Sequence, residues 1–137
     1  MKRFQAVVMA LALGCAAIAQ AETVLVVNPA NKASVSLEDA ERLFLGKVKT
    51  FPTGAAATPL NQTEASPARE AFDAAVLKKN ASQLKAYWSK LIFTGKGNPP
   101  AEMDAGAVKS KVASDPSAIG YIDAAEVDGS VREVARF

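Results

Sequence analysis

The sequence predicts an α/β domain with a mixed or parallel sheet flanked by helices. Two apolar runs of strand length, "TVLVV" (23–27) and "AIGYI" (118–122), lack the polar alternation of a half-exposed strand, so both read as strands buried on two faces. Between them lie stripes of apolar residues at helical spacing, each opened by a capping residue or closed by a glycine or proline.

The elements follow in order. After Thr23–Val27, Asn28-Pro29 breaks the strand. Ser36-Leu37-Glu38-Asp39 resembles a capping box, and Leu37, Ala40, Leu43 and Phe44 continue a helix that Gly46 stops. Strand followed by helix is the first half of a βαβ unit. Phe51-Pro52-Thr53-Gly54 is a turn, and Ala57 to Asn61 a short strand. Ser66 can then cap a helix with Pro67 at its first position and a stripe of Ala68, Ala71, Phe72, Ala75 and Val76. A second helix carries Leu84, Tyr87, Trp88, Leu91 and Ile92, and the two stripes together are expected to supply much of the core. "GKGNPP" (95–100) is a loop, and a weaker helix follows with Val108 and Val112 on one face and Lys109 and Lys111 off it. The strand Ala118–Ile122 precedes an Asp128-Gly129 turn and a last strand near Val131 to Arg136. No repeat or low-complexity tract interrupts this single domain, 22–137.

The first residues belong to a different regime. Lys2 and Arg3 precede an apolar run, Phe4 to Ile18, that ends in Ala19-Gln20-Ala21, which reads as a secretory signal peptide (1–21) cleaved after Ala21. The run is shorter than the roughly 18–20 apolar residues of a membrane span. A lipoprotein reading through Cys15 is the lesser alternative, because Ala12 stands where a lipobox usually has leucine. The expected location is periplasmic or secreted, without stable membrane insertion.

Charge and composition narrow the chemistry. The formal +2 belongs to Lys2 and Arg3, so the mature chain is formally neutral, which argues against nucleic acid as a partner. Cys15 is the single cysteine and there is no histidine, so the mature domain has no disulfide, no Cys/His metal site and no histidine general base. No cofactor is implied.

"EASPAREAF" (64–72) carries the main functional candidate. The first amides of a helix lack carbonyl partners and sit at the positive end of its dipole, so Ser66 with Arg69 one turn in can form an oxyanion site. Spacing alone favours the plainer reading of the same residues, a Ser66 cap with an Arg69/Asp73 pair at i, i+4 on a solvated face, because capped helices are far commoner than anion sites. Ser82-Gln83-Leu84-Lys85 matches S-x-x-K but lacks its companion motifs. Gly95-Lys96-Gly97 is a turn, and Glu38, Asp39 and Glu41 suit a helix N-terminus without any metal.

Taken together and in order, "LEDAERLFLGK" (37–47), "FPTG" (51–54), "SPAREAF" (66–72), "YWSKLIFTGKGNPP" (87–100) and "DPSAIGYID" (115–123) resemble the phosphate-binding subunits of ABC importers, more closely their short periplasmic relatives. The resemblance implies one lobe of a type II periplasmic-binding-protein fold, with Thr23–Val27 and Ala118–Ile122 as its hinge strands and the other lobe missing. It also implies a phosphate or similar oxyanion held at Ser66 and Arg69. The family's loop reads Ser-Gly-Thr. Here Pro67 replaces the glycine, removing an amide donor, and Ala68 the threonine, removing a hydroxyl, so weak binding is expected.

The leading expectation is therefore a non-enzymatic solute-binding-like protein. The alternative is an interaction module whose old cleft face docks an ABC importer component, a porin or a membrane sensor. An exposed apolar patch near Phe51, Phe93 or Tyr121 would favour that alternative, with Tyr121 itself expected half-buried at a strand edge. A hydrolase or transferase ranks third, because no nucleophile, base and orienting group assemble.

Overall fold

The computed structural model describes residues 22–137; the leader, its cleavage point after Ala21 and Cys15 lie outside the described residues. Strand β1 (Thr23–Val27) leads to helix α1 (Leu37–Phe44), strand β2 (Thr58–Gln62) and helix α2 (Pro67–Phe72), which runs on as a π-helical turn, Asp73–Leu77. Helix α3 (Ala81–Phe93), strand β3 (Ala101–Met103), helix α4 (Ala105–Ser114), strand β4 (Ala118–Asp123) and strand β5 (Arg132–Arg136) complete the chain.

The five strands form one mixed sheet in the order β3-β2-β4-β1-β5. β1 runs antiparallel to β4, with Thr23 opposite Asp123 and Val27 opposite Ile119, and antiparallel to β5 on its other side. β2 runs parallel to both β4 and β3. This corrects the expected βαβ unit at the start: the place beside β1 is taken by β4, and β2 lies beyond β4 in the opposite direction to β1. Parallel crossovers run instead from β2 through α2 and α3 to β3, and from β3 through α4 to β4.

Every residue of β1 is buried, as an unbroken apolar run requires. Strand alternation sends Leu25 and Val27 into one layer and Val24 and Val26 into the other. The first layer is aromatic. Phe72 stacks on Tyr121 with centroids 4.2 Å apart, and Phe44 meets Phe72 edge-on at 4.6 Å, an arrangement worth more than its buried area alone. The second layer is aliphatic, built by Val108 and Val112 of α4 against Val24, Val26, Leu60 and Ile122. Gly120 sets its spacing: a Cβ there would lie 2.4 Å from Val108 Cγ1, so only glycine lets α4 approach β4 this closely.

Local signals explain the helix ends. The Ser36 hydroxyl accepts from the Asp39 amide at 3.1 Å and the Asp39 carboxylate accepts from the Ser36 amide at 3.0 Å, completing the capping box. Gly46, at φ +72°, closes the turn after α1.

Several expectations about burial are corrected. In α2 and its extension the covered face is Arg69, Phe72, Asp73, Val76 and Leu77, while Ala71 and Ala75 are exposed. Phe72 and Val76 must reach the sheet, and helical spacing carries Arg69 and Asp73 inward with them. In α3 only Leu84 is buried. That helix leans on the end of α1, where the Tyr87 hydroxyl donates to the Leu45 carbonyl at 2.6 Å and Trp88 lies beside Gly46. Ile92 and Phe93 project past these contacts, Phe93 with 91% of its surface exposed. Tyr121 is not half-buried at an edge: β4 is the middle strand and Tyr121 is fully covered. Phe51 is buried too, so of the three aromatics considered for a patch only Phe93 faces solvent.

Candidate functional site

The polar centre of the molecule forms where β2 ends and α2 begins. Asn61 and Gln62, the last residues of β2, are both buried, so their polar groups need partners. The Gln62 side chain donates from Nε2 to the Tyr121 carbonyl at 2.7 Å, and the Gln62 amide donates to the Tyr121 hydroxyl oxygen at 3.1 Å. The Tyr121 hydroxyl in turn donates to Asn61 Oδ1. Burial pushes the Tyr121 phenol well above its ordinary pKa, so it remains a neutral donor.

Ser66 caps α2. Its hydroxyl accepts from the Arg69 amide at 3.4 Å and donates to Gln62 Oε1. Pro67 offers no amide, and the Glu70 amide donates to the Ser66 carbonyl at 3.2 Å. The Ala68 amide takes no partner among the described residues, which leaves one free backbone donor beside the Ser66 hydroxyl.

Arg69 is buried behind this turn. Its Nη1 donates to the Gln62 carbonyl at 3.0 Å and to Glu102 Oε1 at 2.6 Å, while Nε lies 3.6 Å from Asp73 Oδ2. Glu102 arrives on β3, opposite Asn61. Burial works against the Arg69 charge, but the Glu102 hydrogen bond and the carboxylates of Glu102 and Asp73 outweigh it and hold the guanidinium pKa above its ordinary value. Burial pushes the Asp73 carboxyl upward against the pull of Arg69. The Arg69/Asp73 pair expected from spacing is thus present, on a buried rather than a solvated face.

Two clefts flank α2 and share no lining residue. One, of about 500 Å³, is lined by Ser66, Pro67 and Ala68 together with the start of α4 and Lys109. Lys109 is held by Asp128 at 2.7 Å, and Asp123 and Glu126 also border the cleft, so its field is mixed. The other, of about 600 Å³, lies between α2 and α3 and is lined by Arg69 and Asp73. Ser82 and Lys85 are exposed on α3, with no base or orienting group hydrogen-bonded to either.

Three solved structures share this fold. An ABC-type phosphate transport receptor from Vibrio cholerae superposes with a TM-score of 0.66 at 17% identity, covering 82% of this chain and 45% of that one. A Clostridium perfringens protein assigned as a phosphate ABC transporter substrate-binding protein, solved with bound phosphate, gives 0.62 at 22% identity over 82% and 44%. PstS from Borrelia burgdorferi gives 0.61 at 14% identity over 83% and 46%. The chain has the fold of one lobe of a type II periplasmic binding protein. It spans less than half the length of each of these structures. No protein-family model and no curated protein matches the sequence.

In this lobe the structure brings Ser66 and Arg69 into one network but gives them different positions, Ser66 at the mouth of the smaller cleft and Arg69 behind it. Sequence reasoning missed Gln62, Asn61, Tyr121 and Glu102. One signal was available: a short strand that ends in two adjacent amide side chains, Asn61 and Gln62, one short turn before the capping Ser66.

Among the described residues no helix is long and apolar enough to cross a membrane.

Proposed function

We propose that this protein is an extracytoplasmic, non-enzymatic solute-binding-like lobe that holds phosphate or another small oxyanion weakly at the Ser66 turn. The observation that carries the reading is the pairing of the Ser66 hydroxyl with the uncommitted Ala68 amide at the mouth of a cleft, in a fold shared with a protein solved with phosphate. Ser66 supplies the contact. Arg69 acts from behind, fixing the turn through the Gln62 carbonyl while its charge is balanced by Glu102 and Asp73. With one free amide, a Ser66 hydroxyl whose proton must leave Gln62 Oε1 before it can donate to an anion, and a mixed field, affinity on the order of 1 mM follows, against the much tighter capture a free guanidinium would give.

Delivery to an ABC importer component is the partner role that goes with this reading. Calorimetric titration of inorganic phosphate into the full chain tests it. Saturable heat that disappears in Ser66→Ala supports the site, and saturable heat unchanged in Ser66→Ala removes it.

A second reading has its own observation. Phe93 and Ile92 stand exposed at the end of α3, and the Arg69 charge is already neutralised inside the lobe, as suits an interaction module docking a porin, importer or membrane sensor. Absence of any phosphate heat would favour it.

A further inference from the structure

The region around α3 carries the least compensated charge in the molecule. From Ala74 to Ala101 the chain holds Lys78, Lys79, Lys85, Lys90 and Lys96 and no acidic residue, although residues 22–137 as a whole are formally neutral. None of these lysines forms an ion pair among the described residues, whereas Lys109 and Lys111 each meet a carboxylate.

Helix geometry gathers three of them around the exposed end of α3. Leu84, the one buried residue of the helix, marks its inner side. At about 100° per residue, Ala86, Ser89 and Phe93 then run along the opposite side, with Lys90 on one flank of Phe93 and Lys85 with Ile92 on the other. Lys96 follows in the turn that closes the helix, where its amide donates to the Leu91 carbonyl at 2.8 Å. A Cβ on Gly95 would meet nothing within 4 Å, so this tip stands clear of the rest of the fold. Phe93, Ile92, Lys85, Lys90 and Lys96 line neither of the clefts beside α2. The tip is an apolar projection ringed by unpaired cations.

We propose that the tip of α3 docks the protein reversibly on an anionic phospholipid surface, with Phe93 and Ile92 entering the headgroup layer and Lys85, Lys90 and Lys96 meeting lipid phosphates. Docking of this kind uses the exposed pair behind the second reading above and goes beyond both readings, because it gives that pair a lipid rather than a protein partner.

Shape and charge select this occupant. A projecting aromatic that anchors a protein interface is held in a packed pocket by fixed neighbours. Here the neighbours are lysines on long flexible stems, which suit a fluid layer of negative charge that demands no fixed register. A second copy is disfavoured, since a two-fold contact through this tip would set lysine against lysine. Apolar burial and attraction to anionic lipid are the two components of interfacial binding, and the tip presents both. Each lysine near such a surface strengthens binding about fivefold, and Lys78 and Lys79 at the start of the helix add to the attracting field. One phenylalanine and one isoleucine give too little apolar area for permanent insertion, so the contact is peripheral.

The test is co-sedimentation of the full chain with vesicles of phosphatidylcholine, either alone or with about a quarter phosphatidylglycerol. Binding is expected on the anionic vesicles, saturable with lipid and reversed at about 0.5 M salt, where surface charges are screened. The Lys85→Ala/Lys90→Ala/Lys96→Ala variant should bind at least about tenfold more weakly, and Phe93→Ala about fivefold more weakly. All of these side chains are exposed, so the variants should keep the wild-type unfolding midpoint. A fluorescent reporter separates the tip from the rest of the chain. Trp88 is the single tryptophan, so Phe93→Trp should add a blue shift and a quenching by brominated acyl chains beyond any seen in wild type. No added response at about 10 mM anionic lipid, an equal response on phosphatidylcholine alone, or binding indifferent to the lysine variant overturns the proposal and leaves the tip to an acidic protein surface. Ser66→Ala keeps this docking apart from the oxyanion reading: it should remove a phosphate response and leave vesicle binding intact, and the lysine variant should do the reverse.

Discussion

Helices α2 and α3 look alike in sequence and differ in what they bury. Each opens with a capping residue, Ser66 or Asn80, and each carries an apolar stripe. Yet α2 takes an arginine and an aspartate into the interior, while α3 leaves an isoleucine and a phenylalanine in solvent. The difference is position relative to the sheet. α2 lies against β4, so its rotation is fixed by Phe72 stacking on Tyr121, and whatever shares that face goes inward. α3 rests on the end of α1 and has only Leu84 buried, so its stripe is fixed by nothing beyond its first half. An apolar stripe therefore states what a helix could bury. The neighbouring element decides what it does bury.

The largest test of this comparison is the pair Phe72→Ala and Phe93→Ala. Loss of Phe72 from the aromatic layer should cost about 3–5 kcal/mol in denaturant unfolding, whereas Phe93→Ala should stay within about 0.5 kcal/mol. Equal losses would mean that α3 is covered and the contrast is false.

Next in size is Arg69→Ala, which strands Asp73 and removes the donor to the Gln62 carbonyl. It should destabilise by about 3 kcal/mol, the cost of leaving a buried charge without its partner. A surface-sized change below about 0.5 kcal/mol would place Arg69 in solvent instead. Gly120→Ala follows, with about 1–3 kcal/mol expected from driving a methyl into Val108.

The smallest effect is a pH dependence. Burial raises the folded-state pKa of Asp73, so the folded protein holds its proton more tightly than the unfolded chain. Its contribution to stability is therefore full below the ordinary aspartate value and falls as pH rises through the raised one. Asp73→Asn should abolish that decline, so the stability of wild type relative to the variant should fall as pH rises through this window. Unfolding midpoints of both proteins between pH 3 and pH 7, a range chosen to span about the whole titration, check the sign; a rising difference would show that the Arg69 charge dominates.

The sheet was largely legible because its central strands are buried on both faces and so are written as unbroken apolar runs, Thr23–Val27 and Ala118–Ile122. β3 was not, since three residues after two prolines carry no periodicity. The site was legible in part. Ser66 and Pro67 announced a helix start, and spacing announced the pair of Arg69 with Asp73. The partners that fill the network come from distant segments, Glu102 by pairing of β3 with β2 and Tyr121 by pairing of β4 with β2. No local pattern reports such pairings. The inward rotation of Arg69 was hidden for a related reason: the alanines Ala71 and Ala75 made an equally acceptable apolar face on the sequence, and only the bulk of Phe72 and Val76 selects between them.

The most direct test of the proposed function is an amide NMR titration of the full chain with inorganic phosphate, read at Ala68. The account predicts that the Ala68 amide moves and saturates with a dissociation constant on the order of 1 mM, and that Ser66→Ala removes the response. Saturation elsewhere with Ala68 unmoved, or no saturation at about 50 mM phosphate, would contradict an oxyanion held at the Ser66 turn.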